Sequence, residues 1–101
     1  MSKLSHITVP VDHPAFAGHF PGTPILPGVV LLDWALQAIC DDTGVVLQNC
    51  TINSVKFLSP ALPGDALSIA YRRQDNVVIH FDISTATHKI ASGSVLINTA
   101  I

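Results

Sequence analysis

The stretch that decides the fold is a single apolar segment, GVVLLDWALQAICDD, at residues 28–42. Pro27 suits the first turn of a helix, because the N–H that proline lacks has no helical partner there. Gly44, just beyond the segment, is a typical helix stop. Polar residues interrupt the segment at four-residue spacing and form one stripe: Asp33, Gln37 and Asp41. The pattern predicts one long helix that is buried on most sides.

The remainder of the chain predicts strands. Leu4–Val11 precedes the helix and alternates in polarity, and four segments rich in β-branched residues follow it: Val45–Phe57, Ala66–Arg73, Val77–Ser84 and Lys89–Thr99. Turn residues separate these segments, most clearly Pro63-Gly64-Asp65. An antiparallel sheet wrapped around one central helix satisfies this order, which gives an α+β chain of the hotdog architecture.

Length and composition exclude several classes of protein. The chain has 101 residues, which is enough for one domain, predicted to span 1–101. Its residues are 49% hydrophobic and 12% charged, which excludes a disordered tail. The formal net charge of −2, without a basic stripe, argues against a nucleic-acid partner. A small apolar domain of this kind is expected to bury surface against a copy of itself.

The sequence contains no pattern typical of a membrane span, an export signal or a zinc site. No apolar run reaches the ~18–20 residues of a membrane span. The first residues carry no apolar signal core, so the expected location is the cytoplasm. Cys40 and Cys50 are interpreted as two reduced thiols, because the chain has no CxxC motif. The spacing of His13, His19 and Asp33 matches no zinc pattern, so no metal is expected.

A dense motif surrounds the start of the helix. Residues 12–27 form a long loop rich in proline and aromatic residues, and loops of this length are usually functional. The motif reads GHFPGTPILPGVVLLDWALQ at residues 18–37, with His19 and Asp33 14 positions apart. It resembles the active-site signature of the 3-hydroxyacyl-(acyl carrier protein) dehydratases of the FabA/FabZ type. Lys56-Phe57-Leu58-Ser59-Pro60, followed by Pro63-Gly64-Asp65, is a second and weaker match.

The resemblance implies a lyase that converts (3R)-3-hydroxyacyl thioesters to trans-2-enoyl thioesters and water. His19 is then the base, Asp33 of the partner chain is the acid, and Gln37 supports them. The Gly28 N–H polarises the thioester carbonyl. The family forms double-hotdog homodimers with shared active sites, and such dimers can assemble further. It needs no cofactor of its own, because phosphopantetheine or coenzyme A carries the substrate.

The residue types suit this chemistry. A histidine has the resting pKa of a base that works near neutral pH. A carboxylic acid on a buried helix keeps its proton more readily, because the charged form loses its water. The Gly28 N–H has no helical partner at the helix N-terminus, and it presents positive partial charge to an enolate oxygen.

Further residues take roles from the same resemblance. Three phenylalanines are candidates for the acyl tunnel: Phe16, Phe20 and Phe57. An acidic acyl carrier protein is the expected partner, and three cations are its candidate contacts: Lys56, Arg72 and Arg73. Each of these residues also has an ordinary explanation as core or exposed surface.

Several alternatives stay open. The acid is Asp33, as in the FabA type, whereas Pro21 and the small size are closer to the FabZ type. The short chain is as similar to small dehydratases of specialised pathways, such as aryl polyene assembly, as to those of fatty-acid synthesis. We expect dehydration without isomerisation. Two other functions remain: a hotdog acyl thioesterase, and a non-catalytic hotdog subunit of a heteromeric dehydratase complex.

Overall fold

The described part of the chain folds into one α-helix and a five-stranded antiparallel sheet. The structure is a computed structural model and describes residues 2–12, 26–75 and 77–98. The elements in chain order are β1 (Ser2–Thr8), α1 (Gly28–Thr43), a 3-10 turn (Leu47–Asn49), β2 (Cys50–Phe57), β3 (Ala66–Arg73), β4 (Val78–Ser84) and β5 (Lys89–Ile97). The predicted helix and all five predicted strands are present.

Helix α1 begins and ends at the residues that the sequence indicates. Pro27 has an extended backbone, with φ −59° and ψ 142°, and its carbonyl oxygen accepts the Val30 N–H at 3.0 Å. Gly44 ends the helix in the left-handed conformation, at φ 78°, which glycine adopts without a steric penalty. The Gly44 N–H donates to the carbonyl oxygen of Cys40 at 2.9 Å.

The expectation that α1 is buried on most sides is met only in part in the single chain. Five helix residues are half-buried and pack against the core from the flanks: Val30, Leu32, Trp34, Leu36 and Ala38. The buried residues of α1 stand four apart on one face: Leu31, Ala35 and Ile39. The polar stripe lies on the opposite face and is exposed, and Val29 beside it is 72% exposed. The physical reason is that one sheet covers only one side of a helix.

The order of strands in the sheet is β1-β3-β4-β5-β2, and every neighbouring pair is antiparallel. The strands β1 and β2 are therefore the two edges, and α1 connects them. Apolar residues opposite one another across strands face the helix and form the core, among them Ile69, Ile83 and Ala91. Most outward positions on β3, β4 and β5 carry polar residues, as expected for a sheet with one solvated face, although Leu96 is also outward.

Edge strand β2 departs most from prediction. It begins at Cys50 and not at Val45, because the intervening residues include the 3-10 turn. Its pairing with β5 shifts register between Ile52 and Ser54. At the same level β5 has Gly93, where an added Cβ would collide with the carbonyl oxygen of Ser54. Because Gly93 has no side chain, the irregular edge strand β2 can lie close against β5.

Candidate active site

The N-terminus of α1 faces the sheet at Gly28. Successive helical residues are about 100° apart, which puts Gly28 on the same face as the buried Leu31 and Ala35. The ring of Phe57, at the end of β2, occupies the space where a side chain would stand. A Cβ built on Gly28 would lie 2.6 Å from Cζ of Phe57. Glycine is therefore required for the present contact between helix and ring.

An apolar groove of about 420 Å³ opens beside this contact. Its described lining includes Gly28, Leu26 and Leu31 from the helix side, and Phe57 with Leu58 from the strand side. The Phe57 side chain is 49% exposed, so its ring is partly free to move. The groove can hold an apolar chain beside the first turn of α1.

Backbone donors point out of that first turn. The N–H groups of Gly28 and Val29 have no hydrogen-bond acceptor among the residues that the structure describes. Unpaired N–H groups at a helix N-terminus carry positive partial charge and bind oxygen atoms that bear negative charge. Gly28 was predicted for this role, and its position at the edge of the groove suits it.

The second wall of the groove was not predicted in detail. It is the irregular segment 58–61, which follows β2 and bends at Ser59. The Leu58 N–H donates to the carbonyl oxygen of Ile90 at 2.8 Å, and the Leu26 N–H donates to that of Ala61 at 2.9 Å. The available signal was the weak motif match around Pro60. These bonds join distant parts of the chain, which local sequence patterns do not reveal.

The groove and the polar stripe of α1 lie on opposite sides of the helix. Asp33 and Gln37 are exposed, about 140° and 180° around the helix from Gly28. The expected burial of Asp33 is therefore wrong within one chain. Gln37 lines a separate crevice of about 200 Å³ between α1 and β1, together with Trp34 and Asp41. One chain does not bring Gly28, Asp33 and Gln37 into one site.

Three predicted site residues lie outside the described residues. They are the predicted base, His19, and two predicted tunnel residues, Phe16 and Phe20. Of the residues predicted to line the tunnel, the structure describes only Phe57. Its place in the groove agrees with that role.

The three predicted carrier contacts do not form one patch. Lys56 and Arg72 are exposed and line a shallow depression on the outer face of the sheet. Arg73 is exposed on the opposite face, because adjacent strand residues alternate. It also lies at the far end of the sheet from Phe57, since Phe57 is level with Ile69 across the strands.

The other end of α1 is fixed to the sheet by a polar contact. The hydroxyl of Tyr71, which is 3% exposed, donates a hydrogen bond to the carboxylate of Asp42. Burial, followed by the neighbouring Asp42, raises the pKa of Tyr71 above its usual range. The contact orients the C-terminal turn of the helix.

Two kinds of feature are absent from the described ranges. No three His, Cys, Asp or Glu side chains there come close enough to hold a metal ion together. None of the helices in these ranges has the length and apolar character needed to cross a membrane.

Comparison with known proteins gives a consistent result. The family model "ApeI-like: ApeI dehydratase" matches residues 2–94. The 3-hydroxyacyl-[acyl-carrier-protein] dehydratase FabZ of Chlamydia trachomatis serovar L2 is 38% identical over 77 residues, which are 67% of this chain and 50% of that protein. The chain thus spans about half the length of the curated relatives that it matches.

Solved structures share the fold. The dehydratase heterocomplex ApeI:P from Xenorhabdus doucetiae matches with a TM-score of 0.78 at 22% identity, covering 96% of this chain and 87% of that one. An uncharacterized protein from Erwinia carotovora subsp. atroseptica matches with a TM-score of 0.74 at 29% identity, covering 94% and 81%. The helix on a five-stranded antiparallel sheet is the hotdog fold, as predicted. With its family model covering nearly the whole chain, the protein belongs to the ApeI-like family of dehydratases.

Proposed function

We propose that the protein is a hydro-lyase that dehydrates (3R)-3-hydroxyacyl thioesters to trans-2-enoyl thioesters. The observation that carries the proposal is the N-terminus of α1, where Gly28 presents its N–H beside an apolar groove. This arrangement suits a substrate with an apolar chain and a carbonyl oxygen that becomes negative. Membership of a dehydratase family supports this reaction over others of the same fold.

In the proposed reaction His19 removes a proton from C2 of the substrate. Negative charge then develops on the thioester oxygen, which the Gly28 N–H stabilises together with the positive end of the helix dipole. Asp33 protonates the hydroxyl group at C3, so that it leaves as water and not as hydroxide. Phe57, Phe16 and Phe20 line the space for the acyl chain.

The acid of this reaction comes from a second copy of the chain. Asp33 lies on the face of α1 that points away from the groove, so a second chain must bring its carboxylate to the site. Two features favour a homodimer. Among the described residues, strand β2 pairs on one side only and has no buried residue, and an open sheet edge is a template for pairing with another chain. Val29, close to Asp33 on α1, is largely exposed.

An acyl carrier protein is the proposed bearer of the substrate, as in the name of the curated FabZ relative. Lys56 and Arg72 are its proposed contacts, since an acidic partner is attracted to exposed cations. Arg73 was also predicted as a carrier contact, but it lies at the far end of the sheet from Phe57 and is the least favoured of the three. The cytoplasm is the proposed location, and no cofactor is proposed.

The first test is an assay of purified protein with (3R)-3-hydroxyacyl thioesters of several chain lengths, aliphatic and aryl, on coenzyme A and on carrier protein. We expect loss of one water to give a trans-2-enoyl product. His19→Ala and Asp33→Asn should each lower kcat/KM by at least about a hundredfold. Their matched controls, His88→Ala and Asp41→Asn, change exposed residues of the same types and should retain activity. Full activity of the His19 or Asp33 variant contradicts the assignment.

A mixing experiment tests the shared site. His19→Ala and Asp33→Asn proteins are unfolded together, refolded and assayed. If each site combines the two residues from different chains, half of the mixed dimers' sites are intact, and about a quarter of wild-type activity returns. No recovery from a verified mixed dimer contradicts sharing. Analytical ultracentrifugation establishes whether the dimer is present.

A second candidate function follows from the heterocomplex. The similar chain from Xenorhabdus doucetiae belongs to the dehydratase heterocomplex ApeI:P. This chain would then supply one half of a mixed dimer. That function is favoured if the isolated protein is inactive and dehydratase activity appears when a second hotdog chain is added. Release of free thiol without an enoyl product favours a thioesterase instead.

A further inference from the structure

The two cysteines of the chain meet at the end of α1 that is remote from the groove. Cys40 lies in the last turns of the helix, and Cys50 is the first residue of β2. Their Sγ atoms are 3.9 Å apart. Both thiols are free and half-buried, so each retains contact with solvent. The chain has two cysteines in total.

The intervening chain brings the thiols together by a defined turn. Gly44 reverses the chain after the helix, with its left-handed φ of 78°. The 3-10 turn Leu47–Asn49 then directs the chain into β2, where the Sγ of Cys50 is 3.8 Å from the carbonyl oxygen of Val46. The proximity is thus part of the fold and does not depend on long flexible side chains.

We propose that Cys40 and Cys50 form a thiol modification site, at which a peroxide joins them in an intramolecular disulfide. A disulfide requires an S–S distance of about 2.05 Å. The two sulfur atoms are already in van der Waals contact, so side-chain rotation and a small shift of the turn close the remaining gap. The bond ties the end of α1 directly to the start of edge strand β2.

The chemistry balances with hydrogen peroxide as the oxidant. One thiolate attacks a peroxide oxygen and becomes a sulfenic acid, while the O–O bond breaks and releases hydroxide. The hydroxide takes up the proton that the thiol had lost and becomes water. The second thiol then displaces the sulfenic oxygen as another water, which leaves the disulfide. Two thiols and one peroxide therefore give one disulfide and two waters.

The surroundings of the two cysteines favour one of them as the first to react with peroxide. Burial, and then the neighbouring Cys50 and Asp41, raise the pKa of Cys40 to about 11. Cys40 is therefore a protonated thiol at neutral pH and a poor first nucleophile. Cys50 takes the oxygen first, and Cys40 resolves the sulfenic acid.

The test treats reduced wild-type protein with hydrogen peroxide, blocks residual thiols with iodoacetamide, and measures intact mass. We expect a monomeric chain that has lost two hydrogen atoms and takes up no iodoacetamide. Chymotrypsin cuts after Leu36, Leu47 and Phe57, which separates the two cysteines into peptides that the disulfide keeps joined. Dithiothreitol should release them.

Two single-cysteine variants identify which cysteine reacts first with peroxide and which one resolves the sulfenic acid. Cys40→Ser retains the first nucleophile and should yield a sulfenic acid that dimedone traps. Cys50→Ser retains only the resolving thiol and should react at least about tenfold more slowly. Two alkylatable thiols in peroxide-treated wild-type protein overturn the proposal. So do sulfinic acids without a disulfide, or disulfides only between chains.

Discussion

At the scale of single residues, Gly28 has two roles that need the same absence of a side chain. It leaves room for the Phe57 ring, and it leaves the N–H at the head of α1 accessible from the groove. The sequence indicated the second role alone, because Pro27-Gly28 marks a helix start. The contact with Phe57 joins residues far apart in the chain, so local patterns could not predict it.

We expect Gly28→Ala to change the free energy of unfolding by no more than about 1 kcal/mol. The new Cβ meets the far end of a half-exposed ring, which can swing towards solvent, and alanine favours the helix. Urea unfolding measures the change. In a Phe57→Ala background the obstacle is gone, so the substitution should be more favourable there. An equal effect in both backgrounds contradicts the ring as its cause.

At the scale of elements, α1 is attached to the sheet differently at its two ends. Its first turn borders an open groove, whereas its last turn is bound to β3 by the hydrogen bond from Tyr71 to Asp42. The C-terminal end is thereby anchored by a side-chain hydrogen bond, whereas the N-terminal end is held by the backbone hydrogen bond from Leu26 to Ala61 and by the Phe57 ring against Gly28.

The anchor can be measured by substitution. Tyr71→Phe removes the donor and lets water solvate the carboxylate, so we expect a loss of about 1 kcal/mol in unfolding free energy. Asp42→Ala leaves a buried hydroxyl without its acceptor and should cost more, about 1–3 kcal/mol. Asp41→Ala, at the neighbouring exposed position, is the matched control and should cost little. Equal losses at positions 41 and 42 contradict the anchor.

The sequence predicted elements better than their surroundings. The ends of α1 follow from Pro27 and Gly44, which act locally, and β3 was predicted at its exact bounds. The start of β2 was predicted too early, because the β-branched Val45 and Val46 favour a strand while the chain must first turn. The exposure of Asp33 depends on how many faces of α1 a single sheet covers, which periodicity does not specify.

At the scale of the whole molecule, two weakly acidic side chains, the half-buried Cys40 and the buried Tyr71, make the fold sensitive to alkali. Burial raises the pKa of Cys40 from its ordinary 9.0 to about 11 and raises that of Tyr71 above its usual range. The folded chain therefore holds these protons where the unfolded chain has released them. The contribution of these two groups to the free energy of unfolding is fully present below their pKa values in the unfolded chain. It is lost as the pH rises through their pKa values in the folded chain.

We therefore expect the free energy of unfolding to fall between pH 9 and 11. Urea unfolding across this range measures the slope. Cys40→Ser should flatten the first part of the decline, and Tyr71→Phe should flatten the upper part. A stability that stays constant up to pH 11 contradicts this account.

The order of strands in the sheet also determines when each part can form. Strand β1 leaves the ribosome before its described partner β3, so Ser2 is made long before Arg72, the residue with which it pairs. The ribbon from β3 to β5 closes through neighbouring hairpins and can assemble first. During synthesis, the apolar helix α1 therefore emerges well before the sheet that covers it. For part of the time of synthesis, the apolar helix α1 has emerged while the strands β3, β4 and β5 that it packs against have not.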